Sequence, residues 1–286
     1  MTTRWVAAGL IPSMPVTRRN HRGIEIPTGV GVAVLAGTLG GIALVAFVRA
    51  VSPRSPSPTV ALAASIGVLV LGFGFGAIGL YDDIAAQSER GWRAHLPALL
   101  HGRMTPGVLK LVAGAALAFV IGSATATSFG WGLINAALIG LMANLFNAFD
   151  VRPGRAAKLY LLAGVPMAIL GRFLMVPLAA TLGAVAAFLA FDLRERAMLG
   201  DAGSNAIGAI LGGATVAVDP PSWFRLALLA LLVLLTAIAE RSTLSAWIDR
   251  IGPLRAFDRL WRTDSAEEVF ALSDRNAGEG SPDVLR

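Results

Sequence analysis

The sequence predicts an all-α fold, a polytopic integral membrane helical bundle with about eight or nine transmembrane helices plus an interfacial amphipathic helix. Of the 286 residues, 55% are hydrophobic and only 15% are charged, and the mean hydropathy is +0.68. Soluble domains average about 45–50% apolar and about 25% charged residues. The apolar residues also cluster into runs of about 20, the length that a helix needs to cross a bilayer core.

Eight apolar runs, each bounded by Pro, Gly or charge, are the predicted spans. They cover residues 28–50, 59–81, 106–127, 130–149, 156–172, 174–192, 203–218 and 223–240. The region 156–192 is apolar apart from Arg172 and Pro177, so we expect a tight hairpin between its two spans. Residues 5–16 are too short and too rich in proline for a span, and they read either as the remnant of a first helix or as an interfacial segment.

The distribution of Lys and Arg predicts which ends of the spans face the cytoplasm. If segments 17–27, 82–105, 150–158, 193–202 and 241–286 share one side, all but four of the 24 cations lie on or near it, the exceptions being Arg49, Arg54, Arg172 and Arg225. Cytoplasmic loops of membrane proteins carry the positive excess. The excess of Lys and Arg over 18 Asp and Glu therefore indicates topology, and no basic run interleaved with aromatic residues points to nucleic acid.

The C-terminal part of the chain differs from the spans. Residues 241–262 place apolar residues and Arg at helical spacing, interrupted by Gly252-Pro253, which is typical of a basic amphipathic segment in the membrane interface. Residues 263–286 form a polar tail that we expect to be disordered. The sequence therefore predicts one transmembrane domain over residues 1–262 and no separate soluble domain.

The absence of cysteine restricts the chemistry that the chain can carry. It excludes disulfides, thiolate metal sites and cysteine nucleophiles. Any metal would be held by oxygen or by the three His, so a hard cation such as Mg²⁺ is the natural candidate. Because charged groups at the ends of spans are costly, each polar cluster there is a functional-site hypothesis.

One cluster is GLYDD, in which Asp82 and Asp83 end a Gly-rich helix. The helix dipole already places negative charge at this end, so a bound cation would stabilise the two acids. The alternative is a pair of solvated acids that begin a loop. The glycines of this helix, at positions 72, 74, 76 and 79, would let a neighbouring backbone approach closely.

A second cluster is NLFNAFDVRPGRAAK, in which amides and a carboxylate precede a basic loop. Asn144, Asn147 and Asp150 follow one another at three-residue steps and share one side of a helix. The cations that come next are Arg152, Arg155 and Lys158. A carboxylate beside guanidinium groups suits a metal-chelated polyphosphate, because the acid holds metal and the guanidinium holds phosphate oxygens. The alternative is a helix end with a positive-inside loop, which leaves the two Asn unexplained.

Two further segments on the same side carry weaker signals. MLGDAGSNAIG (198–208) places Asp201, Gly203 and Ser204 at a helix start, where backbone N–H groups can bind phosphate, although the polar side chains could be simple N-caps. RNHRGIEIPTGVG (19–31) is a basic loop that opens a span and equally fits a positive-inside anchor. Together the four clusters suit the joining of a charged soluble substrate to a lipid phosphate.

The order of these motifs resembles the polyprenyl-phosphate N-acetylhexosamine-1-phosphate transferases, the family that includes the phospho-N-acetylmuramoyl-pentapeptide transferase of peptidoglycan synthesis. The resemblance covers roughly residues 20–240. RGIEIPTGVG is similar to the family's early G-x-P-x-x-G-G loop, GLYDD to its Asp-Asp helix end, and GVLKL to the following span start with its Lys. NLFNAFD is similar to N-x-x-N-x-x-D, and MLGDAGSNAIG to M-G-D-[TS]-G-S-x-x-x-G.

The resemblance implies a ten-helix fold in a bacterial inner (cytoplasmic) membrane, with Mg²⁺ as cofactor and the active site facing the cytoplasm. The implied reaction transfers a sugar-1-phosphate from a UDP-N-acetylhexosamine to undecaprenyl phosphate, a polyprenyl phosphate lipid, and releases UMP. Asp201 would be the main metal ligand with help from Asp83, and the catalytic acids would be Asp82, Asp83 and Asp150. The substrate-binding residues would be Lys110, Asn144, Asn147, Arg152, Arg155, Gly203 and Ser204. A homodimer stays open.

The chain also departs from the family pattern. The family's D-G-x-D-G reads D-V-R-P-G here, so Pro153 replaces the second Asp and Arg152 is new. The His-x-His loop before the last family helix has no counterpart, since the only histidines are His21, His95 and His101. The main alternative to an enzyme is therefore a non-catalytic relative that binds polyprenyl lipid or scaffolds a cell-wall complex. A transporter is disfavoured, because transport favours polar groups near the bilayer midplane.

Overall fold

The computed structural model describes residues 2–11, 16–51, 58–85, 106–171, 176–241 and 244–262. Within these ranges the chain forms a short antiparallel β-hairpin and eleven helices. The strands are β1 (Thr17–Arg19) and β2 (Glu25–Pro27). The helices are α1 (Thr2–Leu10), α2 (Val32–Val51), α3 (Pro58–Ala85), α4 (Pro106–Ala124), α5 (Phe129–Phe149), α6 (Arg155–Gly171), α7 (Val176–Asp192), α8 (Gly200–Ala217), α9 (Ser222–Arg241), α10 (Leu244–Arg250) and α11 (Gly252–Arg259).

The eight helices from α2 to α9 fall on the eight predicted spans, and the prediction of an all-α polytopic membrane protein is confirmed. Five of them are long and apolar enough to cross a membrane, namely α2, α5, most of α9, and the segments Ala63–Ala85 of α3 and Gly107–Ala124 of α4. Helix α7 is a shorter apolar helix, and α6 contains Pro166. The predicted turn between α6 and α7 lies outside the described residues.

Helix α8 forms the centre of the bundle. Every residue from Gly200 to Val216 is buried, and the helix packs mainly against α3 and α5, with further contacts to α2, α4, α6 and α7. Because other helices surround it, α8 needs no apolar outer face. This position explains how a helix with Gly, Ser, Asn and Asp in its first two turns can lie inside a membrane protein.

Glycine makes this central packing feasible at a few positions. A Cβ on Gly208 would lie 2.6 Å from the carbonyl oxygen of Met142, and one on Gly212 would lie 2.8 Å from the Cα of Ile139, so α8 and α5 touch backbone to backbone. A Cβ on Gly79 of α3 would overlap the carbonyl of Asp201. Real Cβ atoms do not occupy such space, and close approach of small residues is a usual mode of helix packing in membranes.

The close approach predicted for the glycines of α3 occurs at one of the four positions. Only Gly79 faces the backbone of a neighbouring helix directly. A Cβ on Gly72, Gly74 or Gly76 would first meet the side chain of Ile210, Leu117 or Leu35 in turn, and one on Gly76 would also lie 3.5 Å from the carbonyl oxygen of Ala202. The closest backbone approach is therefore at Gly79, about one turn before Asp82 and Asp83.

The two chain ends add short elements to the bundle. Helix α1 has nine residues, about 14 Å at 1.5 Å per residue, which is too short to cross a bilayer core, and it packs on α2 and α7. At the other end the amphipathic segment forms α10 and α11, which meet at Ile251 where the Gly252-Pro253 interruption begins α11. The predicted polar tail, residues 263–286, lies outside the described residues.

The described parts of the segments predicted to share one side of the membrane lie at one end of the bundle. Ion pairs and hydrogen bonds connect the hairpin, the end of α3, the loop between α5 and α6, the start of α8 and helices α10–α11. We refer to this end as the polar end. At the opposite end, Arg225 pairs with Asp219 at 2.5 Å and lies over the ring of Trp131.

Substituting Gly208 with alanine tests the packing of α8. The added methyl group meets the backbone of α5, and overpacking of this kind costs about 1–3 kcal/mol, so Gly208→Ala should lower the melting temperature of the purified protein. The matched control is Gly140→Ala in α5, where a Cβ meets nothing within 4 Å and the gain in helix propensity is about 1 kcal/mol. Equal melting temperatures for the two variants would contradict the packing described.

Candidate functional site

The centre of the polar end is the contact between the end of α3 and the start of α8. The carboxylate of Asp83 accepts hydrogen bonds from the backbone N–H groups of Asp201 at 3.2 Å and Ala202 at 3.0 Å. Its side chain is 1% exposed. The first N–H groups of a buried helix have no partner within the helix, so Asp83 supplies one, and the positive end of the α8 dipole stabilises its charge.

The turn before α8 has to be tight for this contact to form. Gly200 adopts a φ of +66°. A Cβ there would lie 2.5 Å from the backbone nitrogen of Gly29 and 2.6 Å from Oδ2 of Asp83. The position therefore requires glycine both for its backbone conformation and for space.

Lys110 links Asp82 and Asp201, the two acids that do not cap the start of α8. Its ammonium group donates to Oδ2 of Asp82 at 3.1 Å and also to Oδ2 of Asp201. The side chains of Asp82 and Lys110 are each 25% exposed. Of the two acids that end α3, Asp82 is thus the one that solvent and a substrate can reach.

An amide and a hydroxyl complete the wall around Asp201. Asn147 donates to Oδ2 of Asp201 at 3.3 Å. The Ser204 hydroxyl lies 3.1 Å from Oδ1 of Asn147 and 2.7 Å from the carbonyl of Gly200. One oxygen of Asp201 therefore has partners from α4 and α5, and its position is fixed by three helices.

Arg18 of strand β1 approaches the same acids from the solvent side. Its guanidinium nitrogens lie 3.4 Å from Oδ1 of Asp83 and 3.5 Å from Oδ1 of Asp201. The hairpin is held in place by backbone bonds from Met198 to Pro27 at 2.9 Å and from Gly31 to Leu199 at 3.1 Å. The acids of the site thus face two cations, one from α4 and one from the hairpin.

A small recess lies at the polar end, lined in part by Asn20, His21, Asp150 and Asp192. Its interior has room for only about one water molecule. Oδ2 of Asp192 is buried and has no hydrogen-bond partner among the described residues. A buried acceptor of this kind is stabilised by a ligand that donates a hydrogen bond.

The basic loop after α5 is engaged by the C-terminal helices. Both terminal nitrogens of Arg152 bind Asp249 of α10, at 2.8 and 2.6 Å. Arg155 is buried and donates through Nε to Oδ1 of Asp258 at 2.6 Å and through one terminal nitrogen to Ser245 at 2.9 Å. We call this contact between residues 152–158 and α10–α11 the C-terminal latch.

Asp258 is the most buried acid of the C-terminal latch. Its side chain is 2% exposed and also contacts Arg152 at 3.4 Å and Arg262 at 3.2 Å. Burial alone would raise the pKa of Asp258, but the hydrogen bond and charge of Arg155, followed by the charges of Arg262 and Arg152, lower it. Lys158 donates to the backbone carbonyls of Phe257, Asp258 and Leu260 and so caps the C-terminal end of α11.

The hairpin is also connected to the C-terminal latch. Arg262 lies 2.8 Å from Nε2 of His21. Burial, followed by the charges of Arg262, Arg22 and Arg152, lowers the pKa of His21 from 6.5 to about 4. The imidazole is therefore neutral at physiological pH. Asn20 and Arg22 both contact Glu195, at 2.5 and 3.2 Å, which fixes the hairpin to the loop between α7 and α8.

The structure brings most of the predicted site residues together. Around the start of α8 lie Asp82, Asp83, Lys110, Asn147, Asp201 and Ser204, and Asp150 lines the small recess. The side chain of Asn144 is exposed and makes no hydrogen bond to the described residues. The N–H of Gly203 bonds to the Leu199 carbonyl, and a Cβ there would lie 2.8 Å from the Cα of Gly31, so this glycine serves packing. Arg152 and Arg155, predicted to bind phosphate, are paired within the C-terminal latch.

Sequence reasoning missed several residues of the polar end, chiefly Arg18, Asp192, Asp249 and Asp258. For Arg18 a signal existed, because side chains alternate along a strand and one of the pair Arg18-Arg19 has to face inward. The acids of α10 and α11 carried no such signal, since their partners lie 97 and 103 residues away in the chain.

The carboxylates of the site suit a hard cation only when a substrate supplies further ligands. Among the described residues, no group of three or more His, Cys, Asp or Glu side chains could hold a metal ion alone. Mg²⁺ is usually bound through one or two carboxylates together with water and substrate phosphates. Asp82 and Asp201 match that pattern, because they already share one cation, the ammonium of Lys110, between their carboxylates.

Substituting Asp258 tests the C-terminal latch. Asp258→Asn leaves buried guanidinium groups without a counter-charge, and removing one partner of a buried ion pair costs about 3–5 kcal/mol. The side chain of Asp249 is 39% exposed, so Asp249→Asn should cost only about 0.2–1 kcal/mol. Thermal unfolding of the two variants in one detergent provides the comparison, and equal losses would contradict the burial described for Asp258.

The lowered pKa of His21 predicts a pH effect on stability. The unfolded chain binds a proton at His21 near pH 6.5 and the folded chain only near pH 4, so this group destabilises the fold progressively as the pH falls between those values. His21→Gln should flatten that part of the curve of melting temperature against pH. A variant curve parallel to the wild-type curve would show that His21 does not contribute.

Comparison with known proteins places these residues in a family. The sequence model of glycosyl transferase family 4 matches residues 65–219, more than half of the chain, and the match contains Asp82, Asp83 and Asp201. A comparison with curated proteins finds no match. The family transfers phospho-sugars to polyprenyl phosphate, so its substrates are in general lipid phosphates and nucleotide sugars. The chain is thus a member of glycosyl transferase family 4, and the family predicted from the order of its motifs is confirmed.

Proposed function

We propose that this protein transfers a sugar-1-phosphate from a UDP-N-acetylhexosamine to undecaprenyl phosphate, with Mg²⁺, at the cytoplasmic side of a bacterial inner membrane. In this reaction an oxygen of the lipid phosphate bonds to the β-phosphorus of the donor, and the bond from that phosphorus to UMP breaks. The observation that carries the proposal is the convergence of Asp82, Asp201 and Lys110 at the start of one buried helix.

Phosphoryl transfer depends mainly on positioning and on charge neutralisation. Mg²⁺ bound by Asp201 and Asp82 would supply part of that neutralisation at the diphosphate. Lys110 lies between the same two acids and would turn its ammonium toward phosphate oxygens. Asn147 holds Asp201 in place through a hydrogen bond.

The two acids of α3 would have different roles. Asp82 is partly exposed and would contact the lipid phosphate, as a base or through the metal. Asp83 is buried and occupied by two backbone N–H groups, so it acts as a positioning residue for the start of α8. The recess lined by Asp150 and Asp192 has room for only about one water molecule and is not assigned to a ring of the donor.

The proposal is tested by UMP release from purified protein in nanodiscs with Mg²⁺, undecaprenyl phosphate and a panel of UDP-sugars. Asp201→Asn should lower the rate at least about 100-fold, because it removes the charge that holds the metal and Lys110. The matched control is Asp219→Asn, an exposed acid at the opposite end of the bundle. No UMP release by the wild type with any sugar, with lipid binding demonstrated, would refute the proposal.

A second candidate function is that of a non-catalytic relative that binds polyprenyl lipid or scaffolds a cell-wall complex. It is favoured by the pairing of Arg152 and Arg155 within the C-terminal latch, which leaves these cations engaged by Asp249 and Asp258. It is also favoured by Pro153 at the position of the family's second Asp. If cells carrying Asp201→Ala at an unchanged protein level kept the wild-type phenotype, this function would replace the enzymatic one.

A further inference from the structure

Arg18 occupies an unusual position relative to the acids of the site. Its side chain is 38% exposed, while those of Asp83 and Asp201 are 1% and 12% exposed. The guanidinium therefore covers both carboxylates from the solvent side. The neighbouring Arg19 is 75% exposed and pairs within the hairpin with Glu25 at 3.6 Å, so only one of the two adjacent arginines belongs to the site.

The contacts of Arg18 are loose compared with those of Lys110. Its two ion-pair distances are 3.4 and 3.5 Å, whereas charge-assisted hydrogen bonds measure about 2.7–2.9 Å. Both of its carboxylate partners are also satisfied by other groups, Asp83 by two backbone N–H groups and Asp201 by Lys110 and Asn147. Neither acid needs Arg18 for its hydrogen bonds, so the guanidinium contributes charge and can be exchanged.

The hairpin that carries Arg18 is itself fixed. Backbone bonds join it to the residues just before α8, and Asn20 and Arg22 bind Glu195 in the same loop. A long side chain on an anchored backbone can change partners without movement of the fold. An entering divalent cation on Asp201 would repel the guanidinium and a diphosphate would attract it, because the planar fork of Arg matches phosphate oxygens.

Resting on the proposed function, we infer that Arg18 is an exchangeable phosphate-binding residue. Its charge neutralises Asp201 and Asp83, with which it forms ion pairs. When a metal-bound diphosphate enters, its guanidinium moves from the carboxylates to the phosphate oxygens. Arg18 therefore competes with the metal when no substrate is bound and assists the diphosphate when one is.

This inference predicts effects of opposite sign in one variant. Mn²⁺ serves as the metal probe, followed by electron paramagnetic resonance without nucleotide, and UDP serves as the diphosphate probe, followed by calorimetry at saturating Mn²⁺. Arg18→Gln should bind Mn²⁺ several-fold more tightly, because a competing charge is gone. It should bind UDP about 10- to 100-fold more weakly, because a charge-assisted contact is lost.

Three further variants serve as controls for this test. Arg18→Lys retains the charge but not the fork, so Mn²⁺ binding should stay near the wild-type value while UDP binding weakens. Arg19→Gln removes a charge from the adjacent exposed position and should change neither measurement. Asp201→Asn should abolish Mn²⁺ binding, which establishes that the ion observed is the one at the site.

The outcomes separate this inference from the proposed function. If the wild type binds Mn²⁺ and UDP but Arg18→Gln changes neither, changes both in the same direction, or tightens Mn²⁺ alone, Arg18 is only a counter-ion and the inference is overturned. If the wild type binds neither probe, the proposed function fails together with the inference. Opposite shifts in Arg18→Gln, with Arg19→Gln unchanged, support the inference.

Discussion

The fold of the polar end depends on the meeting of two helix ends through the Asp83 carboxylate. Helix α8 begins inside the bundle, where water does not reach its first N–H groups, and Asp83 accepts two hydrogen bonds from them. The same contact removes a difficulty of α3, whose C-terminal end carries negative partial charge and two acids. Each helix end supplies what the other lacks. The position of Asp201, one residue into α8, follows directly from this arrangement.

Much of this architecture could be predicted from the sequence, because it depends on local patterns of hydropathy and charge. Length and hydropathy determine the eight long helices, and the charge distribution predicts which loops share an end. The steps of Asn147 and Asp150 along one helix face also predicted their place at the site. The glycine of closest approach, Gly79, could be named among four candidates but not chosen, since the choice depends on which neighbour crosses there.

The remaining features depend on contacts between distant parts of the chain. Arg152 and Arg155 follow Asp150 directly, and a carboxylate beside guanidinium groups suggested phosphate. In the folded chain Arg152 and Arg155 instead form ion pairs with Asp249 and Asp258, which lie on helices near the C-terminal end. The sequence thus shows correctly that this loop carries an excess of positive charge. Which acids pair with its arginines depends on the tertiary structure. Gly203 illustrates the same point, because its neighbour is the backbone of Gly31 rather than an open cavity.

The close packing of α8 distinguishes two kinds of residue within one stretch of sequence. In GDAGSNAIG the glycines at 203 and 208 have no room for a side chain, whatever reaction the protein performs. Asp201, by contrast, is held in place by hydrogen bonds from Lys110 and Asn147 to its carboxylate. A side chain at either glycine would meet a neighbouring backbone, whereas replacing Asp201 would remove an acceptor of Lys110 and Asn147. The glycines of this segment therefore limit which side chains the fold accepts, whereas Asp201 depends on the charges around it.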